Sequence, residues 1–290
     1  MSMKKLTLHD LVQMKRERRK ITWLTAYDFP TAQFAENAGL DMLLVGDSLG
    51  MCVYGYPGTV PVTMAQCISH CEAVRRGAPH TFVIGDMPFG SYQISDAEAV
   101  ANAVRFLKEA GMDAVKLEGG VRVASRIRAI AEAGIVVIGH IGLTPQSSGL
   151  LGGHKAQGRT ADAAGLVIED ALAVRRAGAE MLLVEAVPPE VTGYIAAKLD
   201  IPVLSIGAGA DCDGQLLIVS DLIGQFTAFT PKFVKQYANV AELITEAMRR
   251  YAADVREGRF PEEAHCYHML PGEAEKLTRR LNDASERRPA

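Results

Sequence analysis

The sequence lacks paired cysteines, an excess of either charge, a long apolar run and any linker or internal repeat, and each absence removes a class of protein. Its five cysteines (Cys52, Cys67, Cys71, Cys212, Cys266) form an odd, scattered set among 290 residues, which builds no disulfide framework. Cys67 and Cys71 stand four apart on one face of an expected helix, but no second close cysteine pair joins them. A zinc site is not expected, and the thiols read as reduced and mostly buried. A formal net charge of −3 with 22% charged residues gives no general attraction for nucleic acid or an anionic membrane. No uninterrupted apolar run reaches the ~18 residues that span a bilayer. The opening Met-Ser-Met-Lys-Lys-Leu lacks the apolar stretch of a signal peptide, so a soluble, cytoplasmic protein is expected. Without a linker or repeat, a single domain over residues 1–283 is expected, with a disordered tail at 284–290.

What the chain does have is alternation. Short apolar runs, rich in β-branched residues, recur at Ile21–Tyr27, Asp41–Asp47, Thr81–Met87, Ala114–Glu118, Ile135–Ile141, Met181–Ala186, Ile201–Gly207 and Gln215–Asp221. Near-continuous segments such as DMLLVGD and MLLVEAV read as strands covered on both faces, hence a parallel sheet under helices. Between them, 63–76, 96–110, 121–133 and 161–177 carry apolar residues at helical spacing, followed by the stops Gly77, Gly111, Gly134 and Gly178. Eight strands alternating with helices favour a closed (β/α)₈ TIM barrel over a doubly wound open sheet. Between Gly207 and Gln215 there is room for a turn but not for a crossover helix of about a dozen residues. Either strand 8 begins later, or the seventh helix is reduced to a turn. Thr7 reads as the N-cap of an additional N-terminal helix to about Arg18, of the kind that closes the bottom of a barrel. Its basic stretch, residues 15–20, reads as a solvated helix end. Residues 240–255 form a further, C-terminal amphipathic helix.

In a barrel, catalytic groups come from the C-terminal ends of strands. Here strand 2 ends in Asp47-Ser48, strand 3 in Asp86 and strand 4 in Lys116-Leu117-Glu118. Strand 5 carries His140, strand 6 ends in Glu185, and strand 7 carries Ser205. Side chains alternate along a strand, so Lys116 and Glu118 share a face. Burying such a pair for packing alone costs several kcal/mol unless it is well partnered. Asp47, Asp86 and Glu118 lie on consecutive strands, about 5 Å apart if adjacent. Three carboxylates that close need a cation or a proton, and hard oxygen ligands without cysteine suit Mg²⁺ acting as a Lewis acid on an oxo group. Two motif-like strings carry no such weight. Gly153-His-Lys-Ala-Gln-Gly-Arg159-Thr160 nearly matches a phosphate-binding loop, but Arg159 replaces the required lysine and no strand precedes it. Gly207-Ala-Gly209 reads as a glycine turn that gives a ligand backbone room.

At these residues the chain resembles the ketopantoate hydroxymethyltransferase family, from Lys20 to about His268. The strings are LLVGDSLGM (43–51), GDMPFGSY (85–92), VKLEGG (115–120), GHIGLTPQS (139–147), GGHKAQGRT (152–160), LLVEAVP (182–188), IGAGADCDGQLL (206–217) and PKFVKQY (231–237). The resemblance implies that Asp47 and Asp86 ligate Mg²⁺ and contact substrate, and that Glu118 completes the metal site. It implies that Ser48 and Lys116 hold the substrate carboxylate and oxo group beside His140, and that Glu185 is the catalytic base. The implied reaction joins 3-methyl-2-oxobutanoate to the one-carbon unit of 5,10-methylenetetrahydrofolate. The implied assembly is a large homo-oligomer, a decamer in many members. His154 stands where the family commonly has tyrosine, and Cys52-Val53-Tyr54 is unusual for the loop after strand 2. The main alternative is a Mg²⁺-dependent 2-oxo acid lyase or phosphomutase of the phosphoenolpyruvate mutase and isocitrate lyase type, whose KKCGH-like loop this chain lacks. A non-catalytic binding protein on the same barrel is the other.

Overall fold

A computed structural model describes residues 4–286. Eight strands, β1 (Ile21–Thr25), β2 (Met42–Val45), β3 (Phe82–Asp86), β4 (Ala114–Glu118), β5 (Val137–Gly142), β6 (Met181–Glu185), β7 (Val203–Ile206) and β8 (Gly214–Leu217), close a parallel barrel in chain order. The β8–β1 pair completes it, with Ile21 opposite Gly214. The barrel reading therefore holds against the open sheet.

The helices follow from ordinary signals. Before the barrel, α1 (Leu8–Arg16) starts at Thr7, whose hydroxyl accepts from the Asp10 N–H while the Asp10 carboxylate accepts from the Thr7 N–H. Such a reciprocal cap stabilises a helix by about 1 kcal/mol. After β1 comes α2 (Phe29–Asn37), started by the Asp28 cap with Pro30 in its first turn. After β2 come the short α3 (Leu49–Cys52) and α4 (Met64–Gly77), capped by Thr63. Ser95 caps α5 (Asp96–Lys108). Next in chain order are α6 (Ala124–Glu132), the short α7 (Ser148–Leu151), α8 (Ala161–Arg176), α9 (Pro189–Lys198) and the short α10 (Val219–Leu222). No helix stands between β7 and β8. Residues 207–213 make a turn, with Gly207 and Gly209 both at positive φ.

Two apolar clusters hold the barrel. The outer one packs strand side chains such as Leu43, Val83, Val115 and Val184 under the helices. The inner one, around Trp23, Met42, Phe82, Ile84, Ile138 and Leu183, fills the barrel. Leu11 and Met14 of α1 belong to that inner cluster and are fully buried. They enter from the N-terminal ends of the strands, where Lys5 reaches Asp113 before β4 and Lys15 reaches Asp213 before β8. The expected closure of the barrel floor is thus built from two leucine- and methionine-sized plugs and two ion pairs, leaving the opposite mouth for chemistry.

One domain was expected over residues 1–283; the chain divides into two compact units after Ala238. In the second, α11 (Val240–Arg256) has no buried residue and exposes Leu243, Met248, Tyr251 and Val255. It is followed by α12 (Glu273–Glu286). The expected disordered tail overlaps the end of α12, and residues 287–290 lie outside the described residues. All five cysteines are free; Cys67, Cys71 and Cys212 are buried, Cys52 is half-buried and Cys266 is exposed. Among the described residues no helix is long and apolar enough to cross a membrane.

Candidate active site

Strand register brings the sequence-predicted residues together. Asp86 lies opposite Lys116 across β3–β4, Glu118 opposite His140 across β4–β5, and Gly142 opposite Glu185 across β5–β6. Lys116 and Asp86 therefore share a level, with Glu118 and His140 one layer nearer the mouth. Asp47, Asp86, Lys116, Glu118 and His140 are each at least 95% buried, and all line one cavity of about 560 Å³ with Ser48 and Glu185.

The contacts form a chain. The Asp47 backbone N–H donates to Asp86 Oδ2 at 2.9 Å. Lys116 Nζ lies 2.9 Å from Asp86 Oδ1, 3.2 Å from His140 Nδ1 and 3.8 Å from Glu118 Oε1. Since the ammonium can only donate, we assign His140 the tautomer with Nδ1 as acceptor and the proton on Nε2. That Nε2 faces Glu185 Oε2 at 3.1 Å, off the line of a hydrogen bond. Ser48 Oγ is paired with Tyr27 Oη at 2.8 Å. Ser205, singled out on strand 7, is fully buried and spends its hydroxyl on the Ala208 N–H at 3.0 Å, steadying the glycine turn instead of facing the cavity.

Sequence reasoning missed two loop residues. Gln146 gives its Nε2–H to Asp47 Oδ2 at 2.9 Å and its backbone N–H to Glu118 Oε2 at 2.9 Å. Tyr92 donates to Gln146 Oε1 at 2.6 Å and accepts from the Glu118 N–H at 3.1 Å. Both lie inside quoted strings, but a lone glutamine or tyrosine in a loop carries no signal that it folds back onto a strand-end carboxylate.

Electrostatics set the protonation pattern. Burial, reinforced by the neighbouring Glu118 charge, pushes Asp47 up to about 6. Burial pushes Asp86 up to about 6 and Glu118 up to about 7, with Lys116 opposing both. Burial alone would lower the lysine, but Asp86, Glu118 and Asp47 outweigh it and raise it. His140 is lowered by burial and by Lys116, so it is neutral at pH 7. Glu185 is raised by burial, with His140 opposing. Immediately after it, Ala186 has φ +48, a left-handed conformation that L side chains seldom adopt. Strain of this kind persists where surrounding structure holds it, here through Ala186 N–H to Ile206 O at 3.0 Å.

A (β/α)₈ barrel whose mouth gathers a buried lysine, a neutral histidine and four carboxylates has the make-up of an enzyme site for a small molecule. The particular family follows from comparison. The ketopantoate hydroxymethyltransferase family matches residues 5–263, and the chain belongs to it. It is 66% identical to the 3-methyl-2-oxobutanoate hydroxymethyltransferase of Alkaliphilus metalliredigens (strain QYMF) over 272 residues, covering 94% of this chain and 96% of that protein. Its counterpart in Bacillus subtilis (strain 168) is 51% identical, with 90% and 94% covered. Among solved structures, phosphonopyruvate hydrolase in complex with oxalate and Mg²⁺ superposes with a TM-score of 0.59 at 15% identity, covering 97% of this chain and 99% of that one. A 2,3-dimethylmalate lyase of the phosphoenolpyruvate mutase/isocitrate lyase superfamily gives 0.58 at 16%, covering 96% and 100%. These structures share the fold; the family match separates this chain from their chemistry.

Proposed function

We propose that the chain transfers a hydroxymethyl group from 5,10-methylenetetrahydrofolate to 3-methyl-2-oxobutanoate, giving 2-dehydropantoate, with Mg²⁺ as resident ion. The observation that carries this reading is Glu185 held against neutral His140 at 3.1 Å, beside a buried Lys116 that pairs with Asp86 and Glu118 and feels the charge of Asp47.

The residues fit a hard divalent ion. Asp86 Oδ1 is buried without a hydrogen bond, its lysine contact being out of line, and three carboxylates face one ammonium. Among the described residues no three His, Cys, Asp or Glu side chains form a ready-made cage. Mg²⁺ commonly takes one or two protein carboxylates and fills the rest with water and substrate. Asp47 and Asp86 would hold it directly; Glu118, whose Oε2 already accepts from Gln146, would hold it through water. Bound there, the ion supplies Lewis acidity toward a 2-oxo acid.

The chain's own residues do the remainder. Ser48, fixed by Tyr27, offers its hydroxyl to the substrate carboxylate. Lys116 neutralises charge that develops on the oxo oxygen when the C3 proton leaves. Glu185 takes that proton, oriented by His140. One water opens one of the donor's two methylene–nitrogen bonds and leaves its oxygen on the methylene carbon as the hydroxyl. The C3 carbanion bonds to that carbon as the second methylene–nitrogen bond breaks, and the proton taken from C3 and one from the water end on the two nitrogens of tetrahydrofolate. Purified enzyme with both substrates and Mg²⁺ is expected to form 2-dehydropantoate and tetrahydrofolate in equal amounts. Release of pyruvate or glyoxylate from a 2-oxo acid, without any need for folate, would overturn the reading in favour of a lyase or mutase.

The reading places the protein in the cytoplasm and, by family analogy, in a homo-oligomer, a decamer. The exposed apolar row Leu243, Met248, Tyr251 and Val255 of α11 supports self-association, and sedimentation velocity measures it directly.

A further inference from the structure

The cavity has a second polar end that the mechanism leaves unused. Asp221, in α10 just past β8, is 6% exposed and lines the same cavity as the carboxylate–lysine cluster. Among the described residues its carboxylate makes no hydrogen bond or ion pair with a side chain. The adjacent Ser220 hydroxyl is buried near the Cys52 thiol without hydrogen-bond geometry. Every other carboxylate lining this cavity has a nearby amide, lysine or histidine: Asp47 has Gln146, Asp86 has Lys116, Glu118 has Gln146, Glu185 has His140. A carboxylate left without a donor and opening into a cavity is an acceptor that a ligand in the cavity can complete.

Aromatic rings line the same cavity. Phe226 and Phe229 line the cavity and contact each other edge to face, with centroids 5.6 Å apart. The Phe226 N–H donates to Ser220 O at 3.1 Å, which ties that ring to the turn carrying Asp221. Phe229 is 51% exposed, an apolar ring left facing solvent at the mouth. Lys155 and Lys232 also line the mouth and are exposed. An acceptor pair without a donor, next to flat apolar faces, matches a planar heterocycle that presents two adjacent N–H groups. A free metal ion would not use the rings, and an aliphatic amine would use one oxygen only.

We propose that Asp221 anchors the aminopyrimidinone edge of the one-carbon donor, its carboxylate accepting from the ring N3–H and the 2-amino group while Phe226 and Phe229 flank the ring. The assignment rests on the folate reading above and deepens it. It puts the donor's ring on the β8 side and the keto acid on the β2–β6 side, with the methylene carbon between. The exposed lysines then face the anionic glutamyl tail.

The test uses full-length enzyme and calorimetric titration of two probes, 6-methyltetrahydropterin and its 2-desamino analogue, into wild type and Asp221→Asn. Wild type is expected to lose roughly ten- to hundredfold affinity when the 2-amino group is removed, the range for a buried charge-assisted hydrogen bond. Asp221→Asn is expected to lose a similar factor for the parent probe and to be nearly indifferent to the amino group, the mark of a direct pairing. Parent binding to wild type that depends on neither Asp221 nor the amino group overturns this assignment and leaves the folate reading standing. A wild type that binds 3-methyl-2-oxobutanoate but neither the tetrahydropterin nor tetrahydrofolate overturns the folate reading and this assignment with it. The wild-type arm of the analogue series is read independently of how well the variant folds, and the variant is compared only at a temperature where its circular dichroism matches that of wild type.

Discussion

As the proposed base, Glu185 must be ionised to accept a proton, yet burial raises its pKa. The acid limb of the rate therefore lies above that of an ordinary glutamate, and kcat/KM falls as pH drops through the raised value. Glu185→Gln keeps the shape and loses the base, so deuterium exchange at C3 of 3-methyl-2-oxobutanoate is expected to slow by about 10²–10⁴-fold. Keto acid affinity, measured by titration with Mg²⁺, is expected to change much less. Undiminished exchange removes Glu185 from the base role. Asp221 makes a complementary case through stability. Burial raises it from 3.8 to about 6, so between those values the folded state holds a proton that the unfolded chain releases. Stability contributed by this group is then present below about pH 4 and is lost as pH rises through about 6. Asp221→Asn is expected to be more stable than wild type near pH 8, by about 1–2 kcal/mol after solvent screening, and indistinguishable below about pH 4. Denaturant midpoints at the two pH values check this; a variant less stable near pH 8 excludes a strained carboxylate. A residue whose removal strengthens the fold while weakening a ligand is held there for the ligand.

At the scale of elements, strands that carry the site must also meet their helices closely. Gly139 precedes His140 in β5, and a Cβ there would stand 2.2 Å from Val174 Cγ1 of α8. Val174 is fully buried and β-branched, with little freedom to swing away. Gly139→Ala is expected to cost about 1–3 kcal/mol of unfolding free energy, read from the denaturant midpoint, and an unchanged midpoint would show that α8 can shift freely. The glycine is visible in GHIGLTPQS, but its reason is not, because the clash comes from a helix 35 residues away in sequence. The same contrast runs through the barrel. Apolar runs located all eight strands, since burial on both faces imposes that composition. They overshot the ends: β1 stops at Thr25, not Tyr27, and β8 stops at Leu217, where Val219–Leu222 turn into α10. Hydropathy continues where hydrogen bonding between strands does not. Asp47, Asp86, Glu118 and Glu185 were legible because strand ends are fixed points of the fold. Gln146 and Tyr92 were not, because loops deliver them. Asp221 closed the eighth apolar run and was still passed over, since its neighbours Phe226 and Phe229 come from a loop with no periodic signal.

For the whole molecule, the mouth holds more negative charge than it can balance. Asp47, Asp86 and Glu118 face Lys116, and Glu185 faces a histidine that is neutral. Folding brings these groups together at a distance that the unfolded chain does not maintain, so a divalent ion binds the folded state and has little to hold in the unfolded one. By mass action, an ion at about 100 times its dissociation constant stabilises the fold by about 2.7 kcal/mol. Spread over a molecule of this length, that is an upward shift of a few degrees in the unfolding midpoint. Mg²⁺ is expected to raise the midpoint of wild type, and chelation to lower it again. Asp86→Asn is expected to abolish the response, because it replaces the charged carboxylate by a neutral amide and leaves Lys116 one anion short. Gln146→Ala is expected only to weaken it, because Asp47 keeps its carboxylate and loses one hydrogen bond. The order of the two variants is the informative part: it separates an ion seated on Asp47 and Asp86 from a diffuse atmosphere around an acidic rim, which would respond to neither substitution and would fade with monovalent salt. A midpoint that Mg²⁺ moves equally in wild type and Asp86→Asn overturns the proposed seat of the ion.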